Sequence, residues 1–144
     1  MNSLTISRLD PLKYPLITRF YKTHYPVAKA KRDELTFVGY HQEQLVAVVR
    51  FRSIEQYRLL TGMAVAQSHR GSGFAHQLMR FCQAQTLSSA DYCFAYPHLS
   101  DFYAQHHFQV IDVDQLPNAL KTLFIRYTNS GKNLIPMHYL ADIQ

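Results

Sequence analysis

Apolar and polar positions in this chain follow two rhythms, and the change from one to the other marks out its elements. Leu4-Thr-Ile-Ser-Arg8 alternates with a period of two, which predicts a first strand. Asp10-Pro11 offers an N-cap followed by proline at the first helical position, and a helix is expected from there through Phe20-Tyr21. His24-Tyr-Pro26 ends it. Glu34–Tyr40 and Gln44–Phe51 read as two strands, with polar His41-Gln-Glu43 as the hairpin turn between them. Tyr57–Ala66 is the next strand. Phe74–Ala84 carries Phe74, Leu78, Phe81 and Cys82 at helical spacing, so a helix with a core-facing stripe is expected there. Asp91–Tyr96 reads as a strand and Leu99–His106 as a short helix. Phe108–Asp112 and Lys121–Tyr127 read as the last two strands. This order predicts an α/β fold with a mixed sheet in one domain spanning residues 1–144. The segment 129–144 keeps Leu134, Ile135, Met137, Leu140 and Ile143, and is expected to pack on its own domain or on a partner in a homodimer.

Composition narrows the class. At 144 residues, 47% hydrophobic and 17% charged, the chain can bury one ordinary core and is not a disordered segment. No apolar run approaches the roughly 18 residues that a membrane-spanning helix needs. The start, Met1-Asn-Ser-Leu-Thr-Ile-Ser-Arg8, lacks a basic stretch followed by an apolar one, so no signal peptide is expected. Two cysteines, Cys82 and Cys93, make no disulfide framework, and both fall in apolar pattern positions. A cytoplasmic location with reduced thiols is the expectation. The formal charge of +5 is uneven, with seven Lys and Arg against three acids in residues 1–35. A basic region suits a phosphorylated cofactor or an acidic substrate. It is not interleaved with a stacking motif, and no nucleic-acid partner is expected.

The segment with most chemical content is Gln67-Ser-His-Arg-Gly-Ser-Gly-Phe-Ala75. It lies between an apolar strand and a helix, where backbone N–H groups converge without partners and can cradle a phosphate. Small residues at 71, 73 and 75 allow close approach, and Arg70 can add a charged contact. Nucleotide loops do not fit. A P-loop requires a Lys after the second glycine, and a dinucleotide fingerprint requires a third glycine where His76 stands.

Arg70-Gly-Ser-Gly-Phe-Ala75, with the strand Leu60-Thr-Gly-Met-Ala-Val65 before it and Phe102-Tyr-Ala-Gln-His-His-Phe108 after it, resembles the signature of the GCN5-related N-acetyltransferase (GNAT) superfamily. The resemblance implies a single-domain, GNAT-like, mostly antiparallel sheet flanked by helices. It implies acetyl-CoA as cosubstrate, no metal, and direct acyl transfer to the primary amine of a small molecule or peptide. A non-catalytic CoA-binding or regulatory module on the same fold is the alternative. The implied cofactor residues are Met63, Ala64, Val65, Arg70, Gly71, Ser72, Gly73, Phe74 and Ala75. Gly62 would allow a bulge or close approach in the strand that supplies oxyanion donors. Tyr103 stands where the family has its general acid, and a phenol of pKa about 10 stays protonated near neutrality. His98 and Glu55 are the candidate bases, with Glu34, Asp91 and Asp101 also open and water a further route. Two positions depart from the family pattern. His107 replaces the glycine that closes the Tyr helix, and histidine tolerates the left-handed conformation. Pro97-His98-Leu99-Ser100 replaces an asparagine, with Ser100 as the substitute CoA contact.

In that superfamily the acceptor pocket is built by the first helix, the loop after it and the facing strands. Here these hold Tyr21, Tyr25, Arg50 and Arg52. Arg50 and Arg52 are two apart and share one sheet face. Arginines facing a cleft would select an acceptor with a carboxylate or phosphate.

Overall fold

The computed structural model describes residues 3–140. Its seven strands are β1 (Thr5–Arg8), β2 (Leu35–His41), β3 (Gln44–Ile54), β4 (Tyr57–Val65), β5 (Asp91–Ala95), β6 (Phe108–Val110) and β7 (Ile135–Tyr139). Its helices are α1 (Tyr14–His24), α2 (Phe74–Gln85), α3 (Ser100–Ala104) and α4 (Asn118–Asn129). They group into two compact units. One holds the chain up to Arg52 together with Thr61–Gln85; the other holds Ser53–Leu60 together with the chain from Thr86 on.

In the first unit, Asp10 caps as its position demands, accepting from the Leu12 N–H at 3.0 Å. A 3-10 turn over Pro11–Lys13 leads into α1, which buries Ile17, Phe20 and Tyr21. β1 and β3 each pair antiparallel with β2, and β4 lies beside β3. The hairpin turn predicted at His41-Gln-Glu43 is present, with Gln42 and Glu43 both at positive φ. α2 buries Phe74, Leu78, Met79 and Cys82. Each such side chain contributes about 1.5–3 kcal/mol of burial, which outweighs weak local propensity.

In the second unit, β4 pairs parallel with β5 over only three positions, Arg58–Leu60 against Asp91–Cys93. β5 pairs antiparallel with β7, and β7 antiparallel with β6. Leu59, Tyr92, Leu116, Leu120, Leu123 and Phe124 form this unit's core.

Two sequence expectations are corrected. Lys121–Tyr127 is not a strand but part of α4. Alternation would bury Ile125 with Leu123 and Tyr127, yet Ile125 is 42% exposed. The residues that pack are Leu120, Leu123, Phe124 and Tyr127, a period of three and four. The last strand instead comes from the segment expected to be a packing tail. Ile135–Tyr139 is hydrogen-bonded between β5 and β6, despite a proline inside it. Its pairing partners belong to its own chain. Ile143 lies outside the described residues.

Candidate active site

The Gly turn emerges directly from the end of β4. Gln67–His69 makes one 3-10 turn, Arg70 is extended, and α2 begins at Phe74. Gly71 and Gly73 sit at φ +83 and +82, which glycine adopts without steric cost. A Cβ built at either would meet no atom within 4 Å, so the space over the turn is open. Gly71, Ser72 and Gly73 are exposed. The first helical bond runs from Gln77 N–H to Gly73 O at 3.1 Å. The N–H groups of a helix's first turn have no partners within the helix, and they carry the positive end of its dipole. An anion fits there.

Arg70 holds this turn in place. Its Nε donates to Val65 O and its Nη2 to His24 O, both at 3.0 Å. The second contact also places a cation at the C-terminus of α1, where the dipole favours it. Gln67 N–H donates to His24 Nδ1 at 3.2 Å. The turn is thus latched to the end of α1 by side chains at both of its ends. Phe74 is buried beneath it, with His41 and His69 against its ring.

Upstream on β4, Gly62 has φ +66, in keeping with the irregular backbone its position suggested. Its carbonyl accepts from the Tyr21 hydroxyl at 2.7 Å. That hydroxyl in turn accepts from Arg50 Nε at 3.1 Å. Arg50 Nη1 donates to Lys29 O at 3.1 Å and pairs with Glu34. The side chains of Arg50 and Glu34 are each only 4% exposed. Burial pushes the Tyr21 hydroxyl up to about 12, although Arg50 opposes the rise, so it remains a donor at any ordinary pH. Burial works against the Arg50 charge, but Tyr21 and Glu34 outweigh it and hold Arg50 above its ordinary value. Met63 and Val65 are half-buried and Ala64 is buried.

Arg50 therefore does not present a free guanidinium to an acidic ligand, as its place in the sequence suggested. Its donors serve Tyr21, Lys29 and Glu34. Arg52, on the same strand face, is half-buried, as is Tyr25. Next to this network lies a pocket of about 320 Å³ lined by Tyr14, Thr18, Tyr21, Lys22, Pro26 and Lys29, among others. The sequence reading missed Tyr14, Thr18 and Lys22, whose spacing of four places them on one face of α1. The Tyr14 hydroxyl donates to Ala30 O, tying the pocket's loop to the helix.

In the second unit, Tyr103 is buried in α3, with its ring edge-on to Phe102 and Phe108. Burial pushes the Cys93 thiol up to about 12, and a hydrogen bond from Tyr103 only partly offsets it. A thiol so placed is not a nucleophile near neutrality. His98 is exposed in the 3-10 turn Pro97–Leu99, with its ring stacked on Tyr96. The Ser100 hydroxyl donates to Pro97 O at 3.1 Å. Glu55 is exposed in the turn between β3 and β4 at φ +56. His107 closes α3 at φ +70, the left-handed conformation expected where the usual glycine is missing. Of the other carboxylates, Glu34 is held by Arg50 and Asp91 by Arg58. Among the described residues no group of three or more His, Cys, Asp or Glu is placed to hold a metal ion. None of the described helices is long and apolar enough to cross a membrane.

Residues 32–110 match the family described as the acetyltransferase (GNAT) domain. Among solved structures, N-acetylglutamate synthase from Neisseria gonorrhoeae, complexed with coenzyme A and N-acetyl-glutamate, is 13% identical with a TM-score of 0.67. The match covers 96% of this chain and 35% of that one, so the present chain spans about a third of the synthase. Rv2747 from Mycobacterium tuberculosis, in complex with CoA and NLQ, is 15% identical over 96% of this chain and 99% of its own, with a TM-score of 0.68. The ribosomal-protein-S18-alanine N-acetyltransferase from Escherichia coli is 12% identical over 99% of this chain and 96% of its own, with a TM-score of 0.64. These likenesses establish the fold. A comparison with curated proteins finds no match.

Proposed function

Since this chain belongs to the GNAT acetyltransferase family, we propose that it transfers an acetyl group from acetyl-CoA to the primary amine of a small molecule or peptide by direct attack. The observation that carries this reading is the turn Arg70–Ala75, with Gly71 and Gly73 at positive φ under open space and α2 behind them. The CoA pyrophosphate takes the exposed N–H groups of that turn. The thioester carbonyl takes donors from the backbone of Met63–Val65, which stabilise the oxyanion as it forms. The amine nitrogen forms a bond to the carbonyl carbon, and the carbon–sulfur bond breaks. The amine's proton leaves to solvent or to a base, for which exposed His98 and Glu55 are the candidates. Tyr103 returns a proton to the CoA thiolate.

The acceptor binds in the pocket on α1 and carries an acidic group. Lys22 and Lys29 line that pocket and supply its positive charge. The fold neighbour solved with N-acetyl-glutamate, an acidic product, agrees with this choice.

The test has two parts. Titration with acetyl-CoA should raise the melting temperature. A thiol-release screen should then show turnover with amines, strongest for those bearing a carboxylate or phosphate. Binding with no transfer to any amine would make the protein a CoA-binding module. No binding would remove the proposal.

A further inference from the structure

The sequence offers Tyr21 and Arg50 as groups that touch the acceptor, yet the structure gives their polar atoms to each other, to Glu34 and to backbone. The connections run in one line. Glu34 pairs with Arg50, and Arg50 Nε donates to the Tyr21 hydroxyl. The Tyr21 hydroxyl donates to Gly62 O at 2.7 Å. A branch from Arg50 Nη1 holds Lys29 O, in the loop that walls the pocket. The Arg50 guanidinium also lies over the Tyr21 ring, with Cζ 5.1 Å from the ring centre.

Gly62 is where this line meets β4, and its surroundings leave no slack. A Cβ there would fall 2.7 Å from Arg50 Nε, Arg50 Nη2 and the Tyr21 hydroxyl oxygen. The backbone at Gly62 is irregular, with φ at +66, and a carbonyl withdrawn from solvent there needs a donor. Tyr21 supplies it. The Gly62 carbonyl shares one planar peptide unit with the N–H of Met63, the first of the three residues whose backbone receives the thioester in the proposed transfer.

We infer that Tyr21, Arg50 and Glu34 are positioning residues: through the Gly62 carbonyl they set the backbone of β4 that receives the acyl group, and through Lys29 O they fix that backbone relative to the acceptor pocket. This rests on the proposed acetyl transfer. A rigid link of this kind suits the site, because donors to an oxyanion act only when aimed where charge will develop. A displacement of about 1 Å can cost a hundredfold in rate. The pyrophosphate turn has its own anchor in Arg70, which donates to Val65 O and His24 O. The two halves of cofactor recognition are therefore separable by substitution.

The decisive variant is Tyr21→Phe, which keeps the ring and removes only the hydroxyl. Affinities for CoA and for acetyl-CoA are measured side by side by calorimetry, together with kcat and KM on the best amine of the screen and the melting temperature. The expected result is CoA affinity within twofold of wild type and a several-fold loss of preference for acetyl-CoA over CoA. kcat should fall at least tenfold, while KM for acetyl-CoA rises only by the several-fold factor of that lost affinity. Glu34→Gln, which keeps an acceptor for Arg50, should retain most of kcat, and Glu34→Ala should not. A Tyr21→Phe protein with a lowered melting temperature but unchanged kcat and unchanged thioester preference would overturn the inference and leave the hydroxyl a purely structural role. If Tyr21→Phe does not fold, the two Glu34 variants decide: equal kcat in both overturns it. Wild-type protein that binds neither acetyl-CoA nor CoA defeats the proposed function itself, an outcome distinct from the others.

Discussion

Arg58 and Asp91 stand opposite each other at the first paired position of β4 and β5, and their side chains lock in a two-point contact. Arg58 Nε reaches Asp91 Oδ1 at 2.8 Å and Nη2 reaches Oδ2 at 2.7 Å. Asp91 is fully buried and also accepts from Ser88 N–H, while Arg58 adds two contacts to Thr86. This pairing clamps a parallel ladder only three residue pairs long. Removing Arg58 leaves an uncompensated buried carboxylate, so Arg58→Ala should cost about 3 kcal/mol. Arg58→Lys should recover only part, since an ammonium cannot make the fork. Urea denaturation checks this, and a loss below about 1 kcal/mol for Arg58→Ala would contradict it.

Alkaline pH should unfold the protein through two buried acids. Tyr21 and Cys93 are each raised to about 12 in the folded chain, from ordinary values of 10.0 and 9.0. The folded state therefore holds these protons more tightly than the unfolded state does. That stability is fully present below about pH 9 and is lost as pH rises towards 12. For Tyr21 the difference amounts to about 3 kcal/mol. Denaturation midpoints measured from pH 8 to 12 should fall in wild type, and fall less steeply in Tyr21→Phe. Identical slopes would contradict the burial argument.

Cys93 should resist alkylation in the native state. At pH 8 its thiol is protonated as well as buried. Iodoacetamide should modify Cys93 only at the rate of unfolding, which mass spectrometry with and without urea resolves. Rapid labelling of native protein would show that the site opens. Tyr103→Phe removes the hydroxyl that Cys93 shares and the proposed acid together. kcat should fall about tenfold, with a smaller loss at high pH where CoA thiolate leaves unaided.

Gly73→Ala isolates the turn proposed to hold the CoA pyrophosphate. No protein atom obstructs the added methyl, so its cost is backbone strain of about 1–2 kcal/mol at φ +82 together with obstruction of the ligand. The dissociation constant for acetyl-CoA should rise about tenfold while the melting temperature changes by only a few degrees. Equal affinity would move the pyrophosphate elsewhere. Gly62→Ala should behave differently, destabilising the protein outright, because its methyl meets Arg50 and Tyr21.

Local chemistry was legible wherever a residue's role depends on its neighbours in sequence. Asp10 with Pro11, the turn at Gln42-Glu43, the left-handed His107 and the glycines of the Arg70–Ala75 turn each answer a backbone requirement set within a few residues. The same holds for α2, whose apolar stripe has one possible period. It failed for Lys121–Tyr127, where Leu123, Ile125 and Tyr127 satisfy alternation while Leu120, Leu123, Phe124 and Tyr127 satisfy a helix. Two periods fit, and only packing against Leu59 and Tyr92 chooses between them.

The sequence alone determined the shape of the Arg70–Ala75 turn, because glycine at positive φ and a helix start are written in consecutive residues. Tertiary structure alone decided what Arg50, Tyr21 and Glu34 do. Two arginines spaced for one strand face look equally available to a ligand. Only folding brings Tyr21 and Glu34 to Arg50 across 29 and 16 residues of chain and buries all three. A buried charge must be neutralised and hydrogen-bonded by whatever the fold places beside it. Here that requirement ties a residue expected to bind ligand to Glu34 and to the Tyr21 hydroxyl, which itself donates to Gly62 O.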